Sequence, residues 1–246
     1  MEIREINEEK TWTDFLLGVD PNTFLHSWEW KRVQDADLEE TRTLGFFEQN
    51  TLVAVALLIT VQAKRGIHVL CPHGPIVKDG KDMQEVLEKL TAYCRENKNN
   101  AVALRVAPLV ENTTENQEIF SELGYKPSPM HVHAELTWVL DISKAEDEIL
   151  AGMRKTTRHA IGKAEKEGVK VEIQTNSDAL ERFWPLYEQT KNRHGFVPYT
   201  KSMIASQMNI FGEKGAMYVA IATYKGQDVA AAILFQFGST VFYYHG

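Results

Sequence analysis

Two stretches of this 246-residue chain share one pattern, and this repeat constrains the fold more than any other feature. LGFFEQNTLVAVALLITV (44–61) and VAIATYKGQDVAAAILFQF (219–237) each read as a strand, a polar turn and a longer apolar strand. Helical segments precede both, which predicts two similar domains, although any two hairpins share part of the pattern. We place the boundary near residues 141–148, giving domains of residues 1–145 and 146–246.

Strand and helix signals alternate around the two hairpins, which predicts an α/β (α+β) fold of mixed sheets flanked by helices. The predicted strands are 1–6, 41–47, 52–61, 67–71, 101–106, 135–142, 169–174, 218–224, 229–237 and 241–244. The predicted helices are one that begins after Asn7, then 24–34, 82–97, 115–123, 144–153, 153–169, one capped by Ser177, and 200–211. Pro185 is expected to kink the helix after Ser177 or to begin a new one.

The second hairpin is followed only by GSTVFYYHG, whereas a long segment that would close the sheet follows the first. We therefore expect the second domain to be incomplete at Gly246 and the sequence to be shorter than its natural gene. An apolar strand at the chain end would also leave an open sheet edge, which proteins normally avoid.

Composition is that of a globular protein, with 43% hydrophobic and 25% charged residues. The polar start MEIREINEEK lacks a secretory signal, and the longest apolar run (52–61) is about half the length that crosses a bilayer. Cys71 and Cys94 do not make a disulfide framework. We therefore expect a cytoplasmic monomer without stable membrane insertion.

The stretch MRKTTRHAIGKAEKEGV (153–169) carries a net charge of +3 in a chain whose net charge is −7. As a helix it separates two faces. Met153, Thr157, Ala160, Ile161 and Ala164 form a small, apolar face that is expected to pack on the domain. Arg154, Lys155, Arg158, His159, Lys163 and Lys166 form the other face. That basic face suits the phosphates of a nucleotide diphosphate or of RNA, but a solvated helix with Glu–Lys pairs is the commoner meaning of such a pattern.

Several motifs are missing, and their absence removes support for common enzyme classes. No Walker loop, GxGxxG or GxSxG sequence occurs, and Arg158 and Gly162 are one residue too far apart for a coenzyme-A pyrophosphate loop. Five candidate ligands, His68, Cys71, His73, His131 and His133, lack the spacing of a zinc site. We therefore predict no metal and no cofactor. PHGPIV (72–77) either presents backbone amides to a ligand or forms a rigid turn.

Two segments in the second half combine cationic and phenolic side chains. KNRHGFVPY (191–199) ends a helix, and its Arg193 suits either the helix dipole or a carboxylate or phosphate ligand. VFYYHG (241–246) places Tyr243 and His245 on one face of a strand, either as a half-buried strand or as the polar wall of a cleft.

Six segments occur in an order that resembles the FemABX family, the aminoacyl-tRNA-dependent peptidyltransferases of bacterial cell-wall synthesis. They are SWEWKRVQ (27–34), PHGPIV, LTWVLDIS (136–143), the basic stretch 153–169, FWPLYEQTKNRHGF (183–196) and YYHG (243–246). The resemblance covers nearly the whole chain and is to the compact type without a coiled-coil arm. It implies two acetyltransferase-like (GNAT) domains in tandem.

The resemblance also implies an activity, the transfer of an amino acid from aminoacyl-tRNA to an amine on the stem peptide of a peptidoglycan precursor. The precursor would be UDP-MurNAc-pentapeptide or a lipid-linked form, and the transfer would build an interpeptide bridge. By motif position the implied substrate-binding residues are Trp30, Arg32, Arg193, Tyr199 and Tyr243. The implied tRNA-binding residues are Lys155, Arg158 and Lys163.

No catalytic base is assigned, because an aminoacyl ester is already activated and positioning supplies much of the rate. Two departures from the family stand out: Ala107 replaces a frequent acidic residue, and the family's C-terminal segment is absent beyond Gly246. Two alternatives therefore stay open. One is an N-acyltransferase that uses acyl-coenzyme A or an acyl carrier protein, and the other is a non-catalytic domain that binds the precursor.

Overall fold

The computed structural model describes residues 1–64, 66–78, 82–97, 100–129, 132–134, 136–176 and 178–246. The chain divides into two compact units. Unit 1 comprises Met1–His133 and Gln236–Phe242, and unit 2 comprises Ala134–Phe235 and Tyr243–Gly246. The predicted mixed fold of sheets and helices is confirmed. The predicted domains, 1–145 and 146–246, differ from these units by residues 134–145 and 236–242, and the domain boundary stays a prediction.

Unit 1 is built on one mixed sheet with the strand order β1-β2-β3-β4-β6, and β5 pairs with β3. Its strands are β1 (Glu2–Glu5), β2 (Glu40–Glu48), β3 (Thr51–Ala63), β4 (Gly66–Cys71), β5 (Ile76–Val77) and β6 (Ala103–Val106). Its helices are α1 (Glu9–Leu17), α2 (Trp28–Ala36), α3 (Met83–Glu96) and α4 (Thr114–Glu122), and a 3-10 turn spans Phe24–His26. The pair β4–β6 is parallel, and the other pairs are antiparallel.

Strand β3 is buried on both faces, which explains its unbroken apolar sequence. The seven residues 53–59 are each at most 4% exposed. On one face, Ala54 and Ala56 lie in a hydrophobic cluster with Val86 and Leu90 of α3. On the opposite face Val55 and Leu57 are equally buried, and α2 packs on the neighbouring strand β2. Unit 1 therefore has helical structure on both sides of its sheet.

Unit 2 is built on a four-stranded sheet with the order β10-β9-β8-β7. Its strands are β7 (Lys170–Gln174), β8 (Met217–Tyr224), β9 (Gln227–Phe237) and β10 (Thr240–His245). Residues 236–237 at the end of β9 and residues 240–242 at the start of β10 group with unit 1. Its helices are α5 (Glu146–Gly152), α6 (Lys155–Lys166), α7 (Asp178–His194) and α8 (Lys201–Gly212). Helices α7 and α8 pack on β8, and the Phe211 and Phe235 rings lie 4.7 Å apart in this core.

The repeated hairpin is present in both units with the same local geometry. The turns Gln49–Asn50 and Lys225–Gly226 each have two residues with positive φ, as the tightest hairpins require. A register shift follows at the same distance from each turn, between Phe46 and Phe47 in β2 and between Ala222 and Thr223 in β8. The two stretches are therefore one structural motif used twice.

Side-chain caps fix where several helices begin. The Ser27 hydroxyl accepts from the Trp30 N–H at the start of α2, and Thr200 caps α8 in the same way through Met203. The predicted helix opening at Ser27 is confirmed. The predicted cap Ser177 lies outside the described residues.

One predicted alternative and one predicted strand are absent from the described structure. Helix α7 continues through Pro185, so of the two alternatives, a kink or a new helix, the new helix is excluded. Burial of Phe183 and Tyr187 on either side of the proline holds the helix together despite the lost hydrogen bond. Residues 136–142 form no strand, and their apolar side chains, among them Leu136 and Trp138, are exposed. An apolar alternation becomes a strand only when a neighbouring strand accepts its hydrogen bonds.

None of the helices formed by the described residues combines the length and the apolar character that a membrane span needs.

Candidate functional site

Trp30 and Arg32, the two predicted substrate-binding residues of unit 1, lie on α2. The Trp30 side chain is buried in the core, where its ring packs edge-on against Phe24 at 5.5 Å. Arg32 is half-buried. The neighbouring Lys31 pairs with Asp35 at 2.6 Å. The structure thus gives Trp30 a packing role, and ligand contact by Arg32 stays a prediction.

The PHGP loop (72–75) is anchored to a buried histidine. His26 Nδ1 lies 2.7 Å from the Pro72 carbonyl oxygen, so this nitrogen donates, and Nε2 accepts from the Leu57 N–H at 2.7 Å. Burial lowers the pKa of His26 to about 4, so the ring is neutral. A Cβ on Gly74 would lie 2.3 Å from the His26 ring, which makes glycine necessary there. These contacts favour the rigid-turn interpretation of PHGPIV.

A second pair of imidazoles in unit 1 consists of His73, in this loop, and His133. His73 has a positive φ of 49°, and its Nδ1 lies 2.8 Å from the Thr23 hydroxyl. Its ring packs edge-on against His133 at 5.1 Å. Burial is the main cause that lowers the pKa of His73 to about 3 and that of His133 to about 4. Among the described residues, which exclude His131, no three His, Cys, Asp or Glu side chains are placed to hold a metal.

Arg193, the predicted phosphate ligand, stands in the last turn of α7 and is exposed. Its guanidinium forms no ion pair or hydrogen bond within the described parts of the chain. Arg182, on the same helix, differs, because its guanidinium donates hydrogen bonds to the carboxylates of Asp228 and Glu172. Arg193 is therefore the α7 arginine that is available to bind an anion.

Tyr199 lies in the loop between α7 and α8 and is held at two points. Its hydroxyl is 2.9 Å from the Tyr244 hydroxyl on β10, and its N–H donates to the Tyr187 hydroxyl on α7 at 3.4 Å. Burial raises the pKa of both Tyr187 and Tyr244, so these phenols are protonated at neutral pH. Three phenol groups thus converge around this loop.

Tyr243 and His245, predicted to share one face of the last strand, have different surroundings. Tyr243 is 69% exposed, whereas His245 is 4% exposed. His245 Nε2 lies 2.9 Å from the Gln207 Oε1, an acceptor, so this nitrogen carries the proton. Burial lowers the pKa of His245 to about 4. The two residues therefore differ in accessibility, and Tyr243 is the one of this pair that is exposed to a ligand. Their shared face stays a prediction.

The basic face of α6 is exposed, and the face that was predicted to pack is not buried either. Lys155 and Lys163 are exposed, and Lys163 lies 3.7 Å from Glu167, a weak pair on the helix surface. Arg158 Nη1 donates to the carbonyl oxygens of Ala151, at 3.1 Å, and of Met153, so Arg158 also caps the end of α5.

The predicted packing face is not buried. Met153 precedes α6 and is half-buried, as is Ala164, and Thr157, Ala160 and Ile161 are exposed. No residue of α6 is buried, and a Cβ on Gly162 would meet no described atom within 4 Å. An amphipathic pattern identifies a face but not the surface that covers it, which is why this prediction is wrong.

Sequence reasoning missed three unit 2 residues that contact Tyr199 or His245, namely Tyr187, Tyr244 and Gln207. The doublet Tyr243-Tyr244 holds a usable signal, because adjacent residues of a strand point to opposite faces. One tyrosine of such a pair is directed inward when the other is exposed. Tyr187 and Gln207 carry no comparable signal, since their roles depend on the packing of α7 and α8.

The arrangement defines a two-unit α+β protein with an accessible guanidinium and phenols in its second unit, and its fold is found in known structures. The crystal structure of FemX covers 100% of this chain and 80% of its own, with a TM-score of 0.81 and 16% identity. A conserved protein of unknown function from Bacteroides thetaiotaomicron matches over 96% of this chain, with a TM-score of 0.52 and 14% identity. These similarities establish the fold.

The family model of the FemAB family matches residues 8–233. This chain belongs to the FemAB family, which confirms the resemblance drawn from its motifs. Two curated relatives, each a lipid II:glycine glycyltransferase of Staphylococcus epidermidis (strains RP62A and ATCC 12228), are 30% identical over 125 residues. The match covers 46% of this chain and only 30% of the length of each relative.

Proposed function

We propose that this protein is an aminoacyltransferase that moves an amino acid from aminoacyl-tRNA to an amine of a peptidoglycan precursor's stem peptide. The precursor is UDP-MurNAc-pentapeptide or its lipid-linked form, and the product is part of an interpeptide bridge. Membership of the FemAB family and the glycyltransferase activity named for the curated relatives support this activity. Both substrates suggest a cytoplasmic site of action, and we propose that the chain acts as a monomer.

The observation that carries the proposal is the exposed guanidinium of Arg193, which is unpaired among the described residues and stands in the last turn of the helix before the Tyr199 loop. A pyrophosphate-linked precursor offers several anionic oxygens, and a guanidinium binds two of them at once. Tyr199, in the loop that follows α7, supplies a hydroxyl. We propose that Arg193, Tyr199 and the exposed Tyr243, all in unit 2, bind the precursor.

The basic face of α6 supports the second substrate. Lys155 and Lys163 are exposed on one helix and carry no buried ion pair, so each can meet a backbone phosphate of tRNA. Arg158 keeps its Nη1 on the end of α5, and we propose that the rest of its guanidinium contacts the RNA.

The chemistry needs few catalytic side chains. The amine nitrogen of the stem peptide attacks the ester carbonyl carbon, a C–N bond forms, and the C–O bond to the tRNA ribose breaks. The proton lost by the amine is taken up by the departing ribose oxygen. Binding residues that hold amine and ester together supply a large part of the rate, because the ester is already activated.

The decisive experiment incubates the full-length protein with labelled aminoacyl-tRNAs and a nucleotide-linked or lipid-linked muropeptide. We expect labelled amino acid on the peptide, and no label when the tRNA is deacylated beforehand. Transfer from acyl-coenzyme A in place of aminoacyl-tRNA contradicts the proposal and supports the alternative acyltransferase. Binding of the muropeptide without any transfer also contradicts it and supports a non-catalytic domain.

A further inference from the structure

The hydroxyl pair of Tyr199 and Tyr244 has a direction, because each phenol has one hydrogen to donate. The two oxygens are 2.9 Å apart, so one hydroxyl donates and the other accepts. The Tyr244 ring is enclosed by Phe235 at 5.8 Å and His245 at 4.5 Å. Both tyrosine residues are half-buried, but the hydroxyl of Tyr244 is enclosed deeply enough for burial to raise its pKa. The Tyr244 phenol therefore needs an acceptor inside unit 2.

The titration of Tyr244 agrees with this direction. Burial raises the pKa of Tyr244 well above its ordinary value, and the hydrogen bond to Tyr199 raises it further. A hydrogen bond raises the pKa of a phenol when that phenol is the donor, since the bond is lost on ionisation.

We propose that Tyr244 is a positioning residue, whose hydroxyl donates to the Tyr199 oxygen and so directs the Tyr199 hydrogen toward an anionic oxygen of the bound precursor. This inference rests on the proposed function. With its lone pair occupied by Tyr244, the Tyr199 hydroxyl is polarised and becomes a better donor. Tyr244 itself does not touch the substrate.

A second contact restrains Tyr199 from its other end. Its N–H donates to the Tyr187 hydroxyl, and Tyr187 precedes Arg193 on the same helix, α7. The backbone and hydroxyl of Tyr199 are thus both fixed, one to α7 and one to β10. A donor held in place before binding loses little freedom when the ligand arrives, so its hydrogen bond contributes more to affinity.

The test compares Tyr244→Phe, Tyr199→Phe and the double variant in the transfer assay with nucleotide-linked precursor. Each single change removes one hydroxyl and keeps the ring. We expect each to raise the KM for precursor about 3–10-fold, the usual effect of one hydrogen bond, with kcat nearly unchanged. The double variant should be no worse than Tyr199→Phe, because Tyr244 acts only through Tyr199. Tyr224→Phe is the matched control, since Tyr224 ends β8 and its ring faces Lys225.

Three results overturn the inference. A Tyr244→Phe protein with wild-type KM shows that the hydroxyl pair does not serve binding. Additive losses in the double variant show that Tyr244 acts independently of Tyr199. A fall in the thermal midpoint that accounts for the lost activity assigns Tyr244 a purely structural role. If wild-type protein transfers from charged tRNA, any of these results removes the inference alone, whereas a wild-type protein that neither transfers nor binds precursor removes both.

Discussion

The hairpins β2–β3 and β8–β9 have the same turn length and the same register shift, yet their sheets are covered differently. In unit 1, α3 covers the face of β3 that carries Ala54 and Ala56. In unit 2, Glu172 of β7 pairs with Arg182 of α7, so Ile173 points away from that helix. Ile173 is 58% exposed. Among the described residues, then, the sheet of unit 1 is covered on both faces, whereas in unit 2 the face of β7 that carries Ile173 is open to solvent.

This difference shows which parts of a fold are encoded locally. The hairpin itself follows from its turn residues and from β-branched and apolar strands on either side. Burial of the second face depends on a separate helix elsewhere in the chain. The sequences of β3 and β9 are both nearly continuous apolar runs, so hydropathy does not distinguish the covered strand from the half-open one.

The largest expected effect comes from His26, the buried histidine of unit 1 with both ring nitrogens bonded. His26→Phe should destabilise unit 1 by about 3–5 kcal/mol, because the Leu57 N–H and the Pro72 carbonyl would be buried without partners. His245→Phe, in unit 2, should cost clearly less, since His245 has one such bond, to Gln207. Hydrogen exchange resolved by peptide measures both units. Equal losses in the two units would contradict this account.

Truncation of one side chain on each comparable face tests the difference in covering directly. Leu90→Ala on α3 should reduce the free energy of unfolding of unit 1 by about 2–5 kcal/mol, because it opens a cavity in a closed core. Ile173→Ala on β7 should change that of unit 2 by less than about 1 kcal/mol, because the side chain is already in contact with water. Urea unfolding of both variants gives the two numbers. A loss at Ile173 as large as that at Leu90 would mean that the face of β7 is covered in solution.

Acid should lower the free energy of unfolding of unit 1 more than that of unit 2. A histidine whose pKa is lower in the folded than in the unfolded protein stabilises the fold fully above about pH 6.5, its unfolded pKa. This stabilisation is lost as the pH falls toward the folded pKa. At pH 5.5 each fully buried histidine costs about 1.4 kcal/mol. Unit 1 holds His26, His73 and His133, and unit 2 holds His245, all with a lowered pKa.

Hydrogen exchange between pH 7 and pH 5 measures this prediction. We expect unit 1 amides to lose protection first as pH falls, after correction for the intrinsic pH dependence of exchange. Earlier opening of unit 2, or stability that rises on acidification, would show that these histidines are not neutral in the folded protein.

The smallest expected effect concerns the basic face of α6. Changing Lys155 and Lys163 to Glu should weaken tRNA binding and lower the slope of log affinity against log salt by about 2 in magnitude. Lys89 and Lys126, exposed lysines of unit 1, changed together to Glu give the matched control with the same net charge. Equal weakening in both double variants would assign tRNA binding to overall charge rather than to α6.

The sequence predicted most of the fold, because the strands and helices of both units have strong local signals. Ser27 and Asp82 show why, since each cap accepts from backbone N–H groups two or three residues later. Predictions that a segment packs against another part of the chain were less successful. Residues 136–142 and the apolar face of α6 carry the right patterns, but neither is buried, and no pattern within a segment specifies its neighbour.

The residues of the candidate site also fall into two groups, those identified by a local motif and those that depend on tertiary contacts. Arg193 was identified from its own motif, and the structure leaves its guanidinium accessible. Tyr244 was missed, because its proposed role rests on a hydroxyl contact with Tyr199, 45 residues away in sequence. Trp30 was assigned to the site by its motif and lies in the core. Motifs thus nominated the residues of the candidate site, and packing separated the accessible ones from the buried ones.

Titration of UDP-MurNAc-pentapeptide into wild-type protein and two arginine variants tests the central claim most directly. Arg193 and Arg95 occupy the same place in their helices, the last turns of α7 in unit 2 and α3 in unit 1. We predict that Arg193→Ala weakens binding by about 1–3 kcal/mol, or about 5–150-fold, while Arg95→Ala leaves it unchanged. Wild-type affinity in Arg193→Ala, or an equal loss in Arg95→Ala, would contradict the account.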